Sequence, residues 1–511
     1  MGLFDLEDIS QSNPQGYAER VEAALAQPPA MLIGGAAVQA ESGRSIPTFN
    51  PATGRKIAEI PNASACNIDD ALQAARQAQR AWARRPYMER RALVLEAAQC
   101  LRKHAPLLGM LDSLESGNLF SAMKVDPVWA ADAMEYLSSI GAEVKGEAGQ
   151  LDSNLHYTRH EPYGVVLRLL PFNHPVYSAG IALAAPLLMG NSVVLKPSPH
   201  TSLSTLAYGQ LLSKILPAGV LTVLTGSNED VAIPLIRHSL VDRISLIGSS
   251  EAGKAVMKLA AERLVPLTLE LGGKNPLIIF PDADLDAAAD IAIQGMNFSW
   301  QSASCGSTSR ILVHASVKDD FAARLAAKVG AIKPGLPTDP GSRMGAITFR
   351  ELFDRCRSYV EAGKSEGAKL LVGGTIPQDP ELRDGFFMTP AVFSDCTRTM
   401  RIAREEIFGP IISILGWDDY ETMLDIANEL DYGLTAVILS RDLDIVHRTA
   451  ERLNVGYVEV NGTVSWAIGS PFGGYKQSGF GREGNIDELL SYTRTKSVNV
   501  RLSPDPRVRP S

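Results

Sequence analysis

Three side chains of the 511-residue chain have the types and settings of a nucleophile, a base and an oxyanion donor. Cys305 lies in Phe298-Ser-Trp-Gln-Ser-Ala-Ser-Cys-Gly-Ser-Thr-Ser-Arg310, where small and hydroxyl-bearing neighbours leave the sulfur little obstructed. An accessible thiolate beside a helix N-terminus or a cation is a competent nucleophile. The same residue type is equally a small apolar filler of cores. Glu270 ends the apolar run 264–270 and precedes Leu271-Gly272-Gly273-Lys274. A carboxylate at a strand end before two glycines sits either where α/β folds hold their active sites or on the surface as an ordinary terminal acid. Asn173, in Pro171-Phe172-Asn173-His174-Pro175, belongs to a turn pinned by two prolines. Its amide can donate to an oxyanion or cap the helix that follows. Gly248-Ser-Ser-Glu-Ala-Gly253-Lys254-Ala255 follows a β-like run and opens a helix, so its amides can face a phosphate. It nearly matches a P-loop, but Ala255 stands where a magnesium-binding Ser or Thr is required, and GxGxxG is absent.

The elements that must position these residues read as an α/β alternation. Short β-rich runs at 164–170, 192–195, 220–224 and 243–247 are separated by helical segments at 176–189, 202–216, 231–238 and 251–264. The pattern resumes after Glu270 with runs at 276–280 and 310–313 and helices at 284–298 and from Val317. Strands alternating with helices at this spacing predict a doubly wound parallel sheet, here twice in series. Two earlier blocks, 69–84 and 88–104, carry helix-favouring residues with apolar positions three and four apart. Residues 1–30 read as an extension outside the main fold, with an amphipathic stretch at 17–25.

One stretch needs explanation. Residues 169–195 are 27 positions without a charged side chain, longer than the ~20 that cross a bilayer. Pro171, Pro175, Asn173, His174 and Asn191 divide it into strand, turn, helix and strand, each too short to span. Strands of a parallel sheet covered on both faces read as continuous apolar runs, so a buried βαβ unit is expected. Lys+Arg 49 against Asp+Glu 57 leaves a formal charge of −8, which argues against a generic nucleic-acid binder. The five cysteines (Cys66, Cys100, Cys305, Cys356, Cys396) contain no CxxC pair, which argues against a disulfide framework or zinc site and for a reducing cytoplasm. The start, MGLFDLEDIS, has acids where a signal peptide needs a positive charge.

The motifs taken in order resemble the aldehyde dehydrogenase superfamily: Pro171-Phe-Asn-His-Pro175, Lys196-Pro197-Ser198, Gly248-x4-Gly253, Glu270-Leu-Gly-Gly-Lys274, Cys305 with Arg310, Glu406-Ile-Phe408-Gly-Pro410, and Pro471-Phe-Gly-Gly-x-Lys-x-Ser-Gly479. The match runs from about Asn50 to Val498. The resemblance implies two Rossmann-type α/β domains plus a small β oligomerisation arm. Their expected boundaries are 31–140 with 163–273 for the cofactor-binding domain, 274–480 for the catalytic domain, and 141–162 with 484–502 for the arm. It implies NAD, with NADP possible, as cofactor. Catalysis falls to Cys305 as nucleophile, Glu270 as the base that activates water, and Asn173 with the Cys305 N–H as oxyanion donors. Cofactor contacts carry over to Leu170, Pro171, Phe172, Lys196, Ser198, Gly226, Gly248, Ser249, Gly253, Leu271, Glu406 and Phe408. The aldehyde tunnel carries over to His174, Tyr177, Ser178, Trp300, Ser304, Trp466 and Phe472, whose aromatic walls suggest an aromatic or bulky aldehyde. A homodimer or homotetramer follows, with no metal, nucleic-acid or membrane partner.

The chain departs from the family pattern at four places. Phe172 stands where Trp is usual, and Pro199 where many members have the acid that favours NAD. Ala182 replaces a lysine tied to proton relay, and Gln301-Ser302-Ala303 keeps only the first residue of the usual Gln-Gly-Gln. Two rival readings use the same fold: a CoA-acylating semialdehyde dehydrogenase, which would lack the water-activating acid, and a non-catalytic structural relative.

Overall fold

The structure is a computed structural model that describes residues 2–151, 154–464 and 467–501. Among the described residues, eight strands form the first sheet, in the order Ala36–Val38, Met31–Ile33, Leu221–Val223, Ser192–Lys196, Val165–Leu169, Arg243–Ile247, Leu267–Glu270, Gly479–Phe480. The five from Leu221–Val223 to Leu267–Glu270 are parallel. In chain order they run 3-2-1-4-5, so the direction of winding reverses between Val165–Leu169 and Arg243–Ile247. The loops leaving these two strands part at that switch point and open a crevice, the place where such sheets hold ligands. The Pro-pinned turn of Asn173 leaves one strand, and Gly248-Ser249 leaves the other.

The second sheet has seven strands, Lys369–Val372, Ala391–Ser394, Ile411–Trp417, Arg310–His314, Pro276–Ile279, Thr435–Leu439 and Tyr457–Val460. All its pairs are parallel except the first. Two doubly wound sheets in series are therefore present, as the alternation predicts. Gly479–Phe480, at the end of the segment 274–480, adds to the first sheet, with Gly479 opposite Glu270. A third sheet pairs Asn154–Pro162 antiparallel with both Ala148–Leu151 and Thr493–Arg501. This sheet joins two segments distant in the chain.

The uncharged stretch resolves as Val165–Leu169, the turn, the helix Pro175–Leu188 and Ser192–Lys196. Pro175 takes the first turn of its helix, where its missing N–H costs nothing. Every residue of that helix except Tyr177 is buried, because the sheet covers one side and the helices Tyr87–Lys103 and Asp126–Ile140 cover the other. No helix among the described residues is long and apolar enough to cross a membrane.

The N-terminal segment is not outside the fold. Asn13 caps the helix Pro14–Ala24 by accepting from Gly16 N at 2.9 Å. The helix buries Tyr17, Ala18 and Val21 in the main core, against the helix Ala105–Ser116. The amphipathic stretch was visible in the sequence; its docking partner, some ninety residues away, was not.

Candidate active site

Asn173, Glu270 and Cys305 line one cavity of about 650 Å³, a volume typical of small-molecule sites. Each is placed by a different element. The chain leaves Val165–Leu169 with Leu170 N donating to the Lys196 carbonyl (3.0 Å), and the turn then presents Asn173 before the helix at Pro175. Asn173 Nδ2 donates to the Ala303 carbonyl at 2.7 Å. One of its two N–H groups is thereby fixed and the other is left for the cavity. Asn118 ties this turn to the cysteine loop: its Nδ2 donates to the Asn173 carbonyl (2.8 Å) and its Oδ1 accepts from Gln301 Nε2 (2.6 Å).

The cysteine loop is bent through left-handed backbone at Asn297, Gln301 and Ser302, with φ of 54°, 48° and 64°. Asn275 Nδ2 clamps its far side, donating to the carbonyls of Cys305 (2.7 Å) and Ser307 (3.0 Å). Asn275 follows Gly272-Gly273-Lys274, so the segment that delivers Glu270 also holds the nucleophile's backbone. Neither Asn118 nor Asn275 stood out in the sequence, because a lone asparagine carries no pattern.

The electrostatics oppose charge on both reactive groups. Burial, then the nearby Glu270 and Glu406, push the Cys305 thiol up to about 12, and the N–H groups of Cys305 and Gly306 offset only part of this. Among the described residues, no cation is among the groups that act on this thiol. Burial also raises the Glu270 carboxyl well above the usual carboxylate range; Glu483 adds to the rise while Arg482 and Arg168 counter it. Both Glu270 carboxyl oxygens are buried without a hydrogen-bond partner. A carboxyl so placed binds a proton tightly and is ready to take one from water.

Behind Glu270 lies a buried ionic cluster. Arg168 donates to Glu483 Oε1 (3.0 Å), Ser245 Oγ (2.8 Å) and the Tyr492 hydroxyl. Glu488 accepts from Gly484 N at 2.7 Å, and burial followed by the neighbouring Glu483 raises it to about 8. Glu483 and Gly484 reach the cavity wall. Glu483 carries no pattern of its own in the sequence, and its partner Arg168 is 315 residues away.

The other expected tunnel residues, His174, Tyr177, Ser178, Trp300, Ser304 and Phe472, all line the cavity. Trp466 lies outside the described residues. The structure adds Asp126, Trp129, Asp132, Tyr136, Ile181, Ile247 and Ile468 to the wall.

The expected cofactor residues are each held by identifiable contacts. Lys196 ends its strand with a buried amine 3.3 Å from Asn228 Oδ1, brought down to about 8 by burial. Ser198, two residues on, accepts from His200 N at 3.3 Å. Gly226 has φ 143°, and a Cβ there would lie 2.3 Å from Asn62 Oδ1. Gly248 N donates to the Glu270 carbonyl at 3.0 Å, and Ser249 caps the helix Ser250–Ala261. Gly253 lets that helix approach Leu271, since a Cβ would fall 2.5 Å from Leu271 Cδ1. Glu406 is buried with Oε1 accepting from Gly273 N at 3.0 Å, and burial raises it to about 7. Gly272 is needed beside it, because a Cβ would lie 2.0 Å from Glu406 Oε2. Phe408 holds φ 60° and packs its ring edge-on to Phe172 at 5.6 Å. At the position of the missing acid, Pro199 is followed by His200, which stacks on Phe349 at 4.1 Å. A helix-end amide, a buried amine and a buried carboxylate are the groups that suit a dinucleotide's phosphates and ribose hydroxyls.

Comparison with known proteins identifies the family. Residues 37–498 match the model of the aldehyde dehydrogenase family. The aldehyde dehydrogenase tropH of Talaromyces stipitatus is 40% identical over 463 residues, covering 89% of this chain and 90% of that protein. The aldehyde dehydrogenase of Bacillus cereus, solved as an NAD+ complex, superposes with TM-score 0.91 at 34% identity over 95% of this chain and 99% of that one. Betaine aldehyde dehydrogenase of Staphylococcus aureus, solved with NAD+, gives TM-score 0.92 at 31% identity over 96% and 98%.

Proposed function

The chain belongs to the aldehyde dehydrogenase family and is an NAD(P)-dependent aldehyde oxidoreductase, and from this premise we propose that it oxidises an aromatic or otherwise bulky hydrophobic aldehyde to the acid through Cys305 and Glu270. The observation that carries this reading is the shared cavity: Cys305, Glu270 and Asn173 face one space whose remaining wall includes Trp129, Tyr136, Tyr177, Trp300 and Phe472. No lysine or arginine lines it among the described residues, so an anionic tail finds no counter-charge there.

Cys305 Sγ releases its proton to solvent and attacks the aldehyde carbon, and the carbonyl electrons move to oxygen. The free N–H of Asn173 and the Cys305 backbone N–H hold that oxyanion, a contribution worth about 10²–10³ in rate for one such donor. Bound NAD(P)+ supplies the acceptor for the hydride whose loss leaves a thioester on Cys305. Glu270 then takes a proton from water as the water oxygen attacks the thioester carbon. The S–C bond breaks, the carboxylic acid leaves, and Glu270 returns its proton to the Cys305 thiolate. Lys196 and Glu406 would hold the cofactor's riboses, and the Ser249 amide its pyrophosphate, with Gly248 leaving room beside it. NAD is the preferred cofactor in this reading, with NADP accepted because Pro199 leaves no carboxylate to repel a 2′-phosphate.

Glu270 also favours hydrolysis over acyl transfer to CoA, since an unpartnered buried carboxyl beside the nucleophile has water as its natural substrate. The edge strand Thr493–Arg501, with Val500 exposed, supports pairing between subunits as a homodimer or homotetramer. A cytoplasmic location completes the reading and rests on the cysteine usage. The test is a steady-state panel of benzaldehydes, acetaldehyde and a carboxylate-bearing semialdehyde, with NAD and NADP, with and without CoA. The reading expects the highest kcat/KM for benzaldehydes and no CoA dependence. Preference for acetaldehyde or for the semialdehyde would overturn it.

A further inference from the structure

His174 follows the oxyanion asparagine directly, and its ring is locked on three sides. Nδ1 lies 2.8 Å from Asp126 Oδ2. The ring edge meets Trp300 at 4.4 Å and 72°, and Tyr177 at 6.1 Å and 67°. Asp126 begins the helix Asp126–Ile140 and is wholly buried. Its Oδ1 has no hydrogen-bond partner, so the contact to His174 is the one side-chain hydrogen bond it makes among the described residues.

A buried carboxylate is an acceptor and holds the imidazole proton on Nδ1. In the neutral ring Nε2 is then an acceptor. With Nδ1 covered by Asp126, the polar atom His174 can offer the cavity it lines is Nε2, which has no hydrogen-bond partner among the described residues. A substrate hydroxyl satisfies this atom, whereas an ether, a methyl group or a carboxylate cannot donate to it. Around it the wall is aromatic, with Trp129 edge-on to Trp300 at 6.4 Å, which suits a flat ring.

We propose that the Asp126–His174 pair is a specificity device that reads a phenolic hydroxyl, so that hydroxyaryl aldehydes are the preferred substrate class. This rests on the aromatic-aldehyde reading above and narrows it. His174 touches the substrate; Asp126 acts through His174 as a positioning residue that sets its tautomer. A site built to accept from a hydroxyl leaves its own acceptor unpaired when the hydroxyl is absent, which is why such sites discriminate strongly.

The experiment compares kcat/KM for benzaldehyde and for the 2-, 3- and 4-hydroxybenzaldehydes, each beside its methoxy analogue, in the wild type, His174→Phe and Asp126→Asn. At one ring position the wild type should prefer hydroxyl over methoxy at least about tenfold. His174→Phe should bring that ratio to about one, and Asp126→Asn should lower it while KM for the hydroxy substrate rises more than kcat falls. No hydroxyl preference at any position, or a ratio unchanged in His174→Phe, overturns the proposal. If benzaldehyde is oxidised without such preference, this inference fails alone; if no benzaldehyde is oxidised, the aromatic reading itself fails. Should a variant not turn over, calorimetric binding of the hydroxy- and methoxybenzamides gives the same ratio, and equal ratios in wild type and His174→Phe refute it.

Discussion

Replacing Ser302 with glycine should make this enzyme more stable. Ser302 holds φ at 64° in the bend before the nucleophile, a conformation that costs a residue with a Cβ roughly 1–2 kcal/mol. Its Oγ is buried without a hydrogen-bond partner, which costs roughly 1–3 kcal/mol more. Glycine removes both terms. Against this stand the greater freedom of glycine in the unfolded chain, roughly 0.4–1 kcal/mol, and the loss of one packed methylene, about 0.8 kcal/mol. The central balance is a gain of about 2 kcal/mol for Ser302→Gly. If the lobe containing the loop unfolds as one unit, the apparent Tm should rise about 4–8 °C. Thermal and urea unfolding of wild type and variant, run side by side with kcat as a check on the loop, measure this. An unchanged or lower Tm would show that the bend carries no such cost.

Three other outcomes follow from the same geometry. Alkylation of Cys305 by iodoacetamide in the cofactor-free enzyme should accelerate steadily with pH up to at least about pH 10, because the thiol is raised to about 12 and only the thiolate reacts; a plateau below that pH contradicts the electrostatics. Gly272→Ala should drive its Cβ against Glu406 and break the bond from Gly273 N, a loss of roughly 1.5–3 kcal/mol. NADH titration should then show a Kd raised about 10- to 150-fold, and unchanged affinity would remove Glu406 from the cofactor site. Glu488 is raised from the usual carboxylate range to about 8, so the folded state holds a proton there that the unfolded chain releases near pH 4–5. Its stabilising contribution is full below that range and is lost as pH rises through about 8. Glu488→Gln should therefore raise Tm relative to wild type more at pH 9 than at pH 6, and the reverse order would refute the assignment.

The parallel sheets were legible because each strand and helix announces itself over five to fifteen residues. The uncharged stretch 169–195 is the clearest case: its prolines mark the joints, and its lack of charge follows from burial on both faces. Cys305, Glu270 and Asn173 were legible for a different reason, since each stands in a local motif. What stayed hidden depends on distance along the chain. Asn118 joins two segments that are 55 and 183 residues away, and Asp126 supports a histidine 48 residues on. No window of sequence contains both ends of such contacts. The docking of the helix Pro14–Ala24 belongs to the same class. The environment of Cys305 misled in another way: small neighbours do give it access to the cavity, but they supply no charge to ionise it.

The central claim is that Cys305 forms an acyl intermediate and Glu270 releases it. Intact mass of Glu270→Gln after acid quench, with NAD(P)+ and a benzaldehyde substrate present, tests this most directly. The account predicts one acyl group retained on Cys305, absent from Cys305→Ala, with steady turnover of Glu270→Gln slowed about 10²–10⁴-fold. Undiminished turnover of Cys305→Ala, or of Glu270→Gln with no adduct, would contradict it.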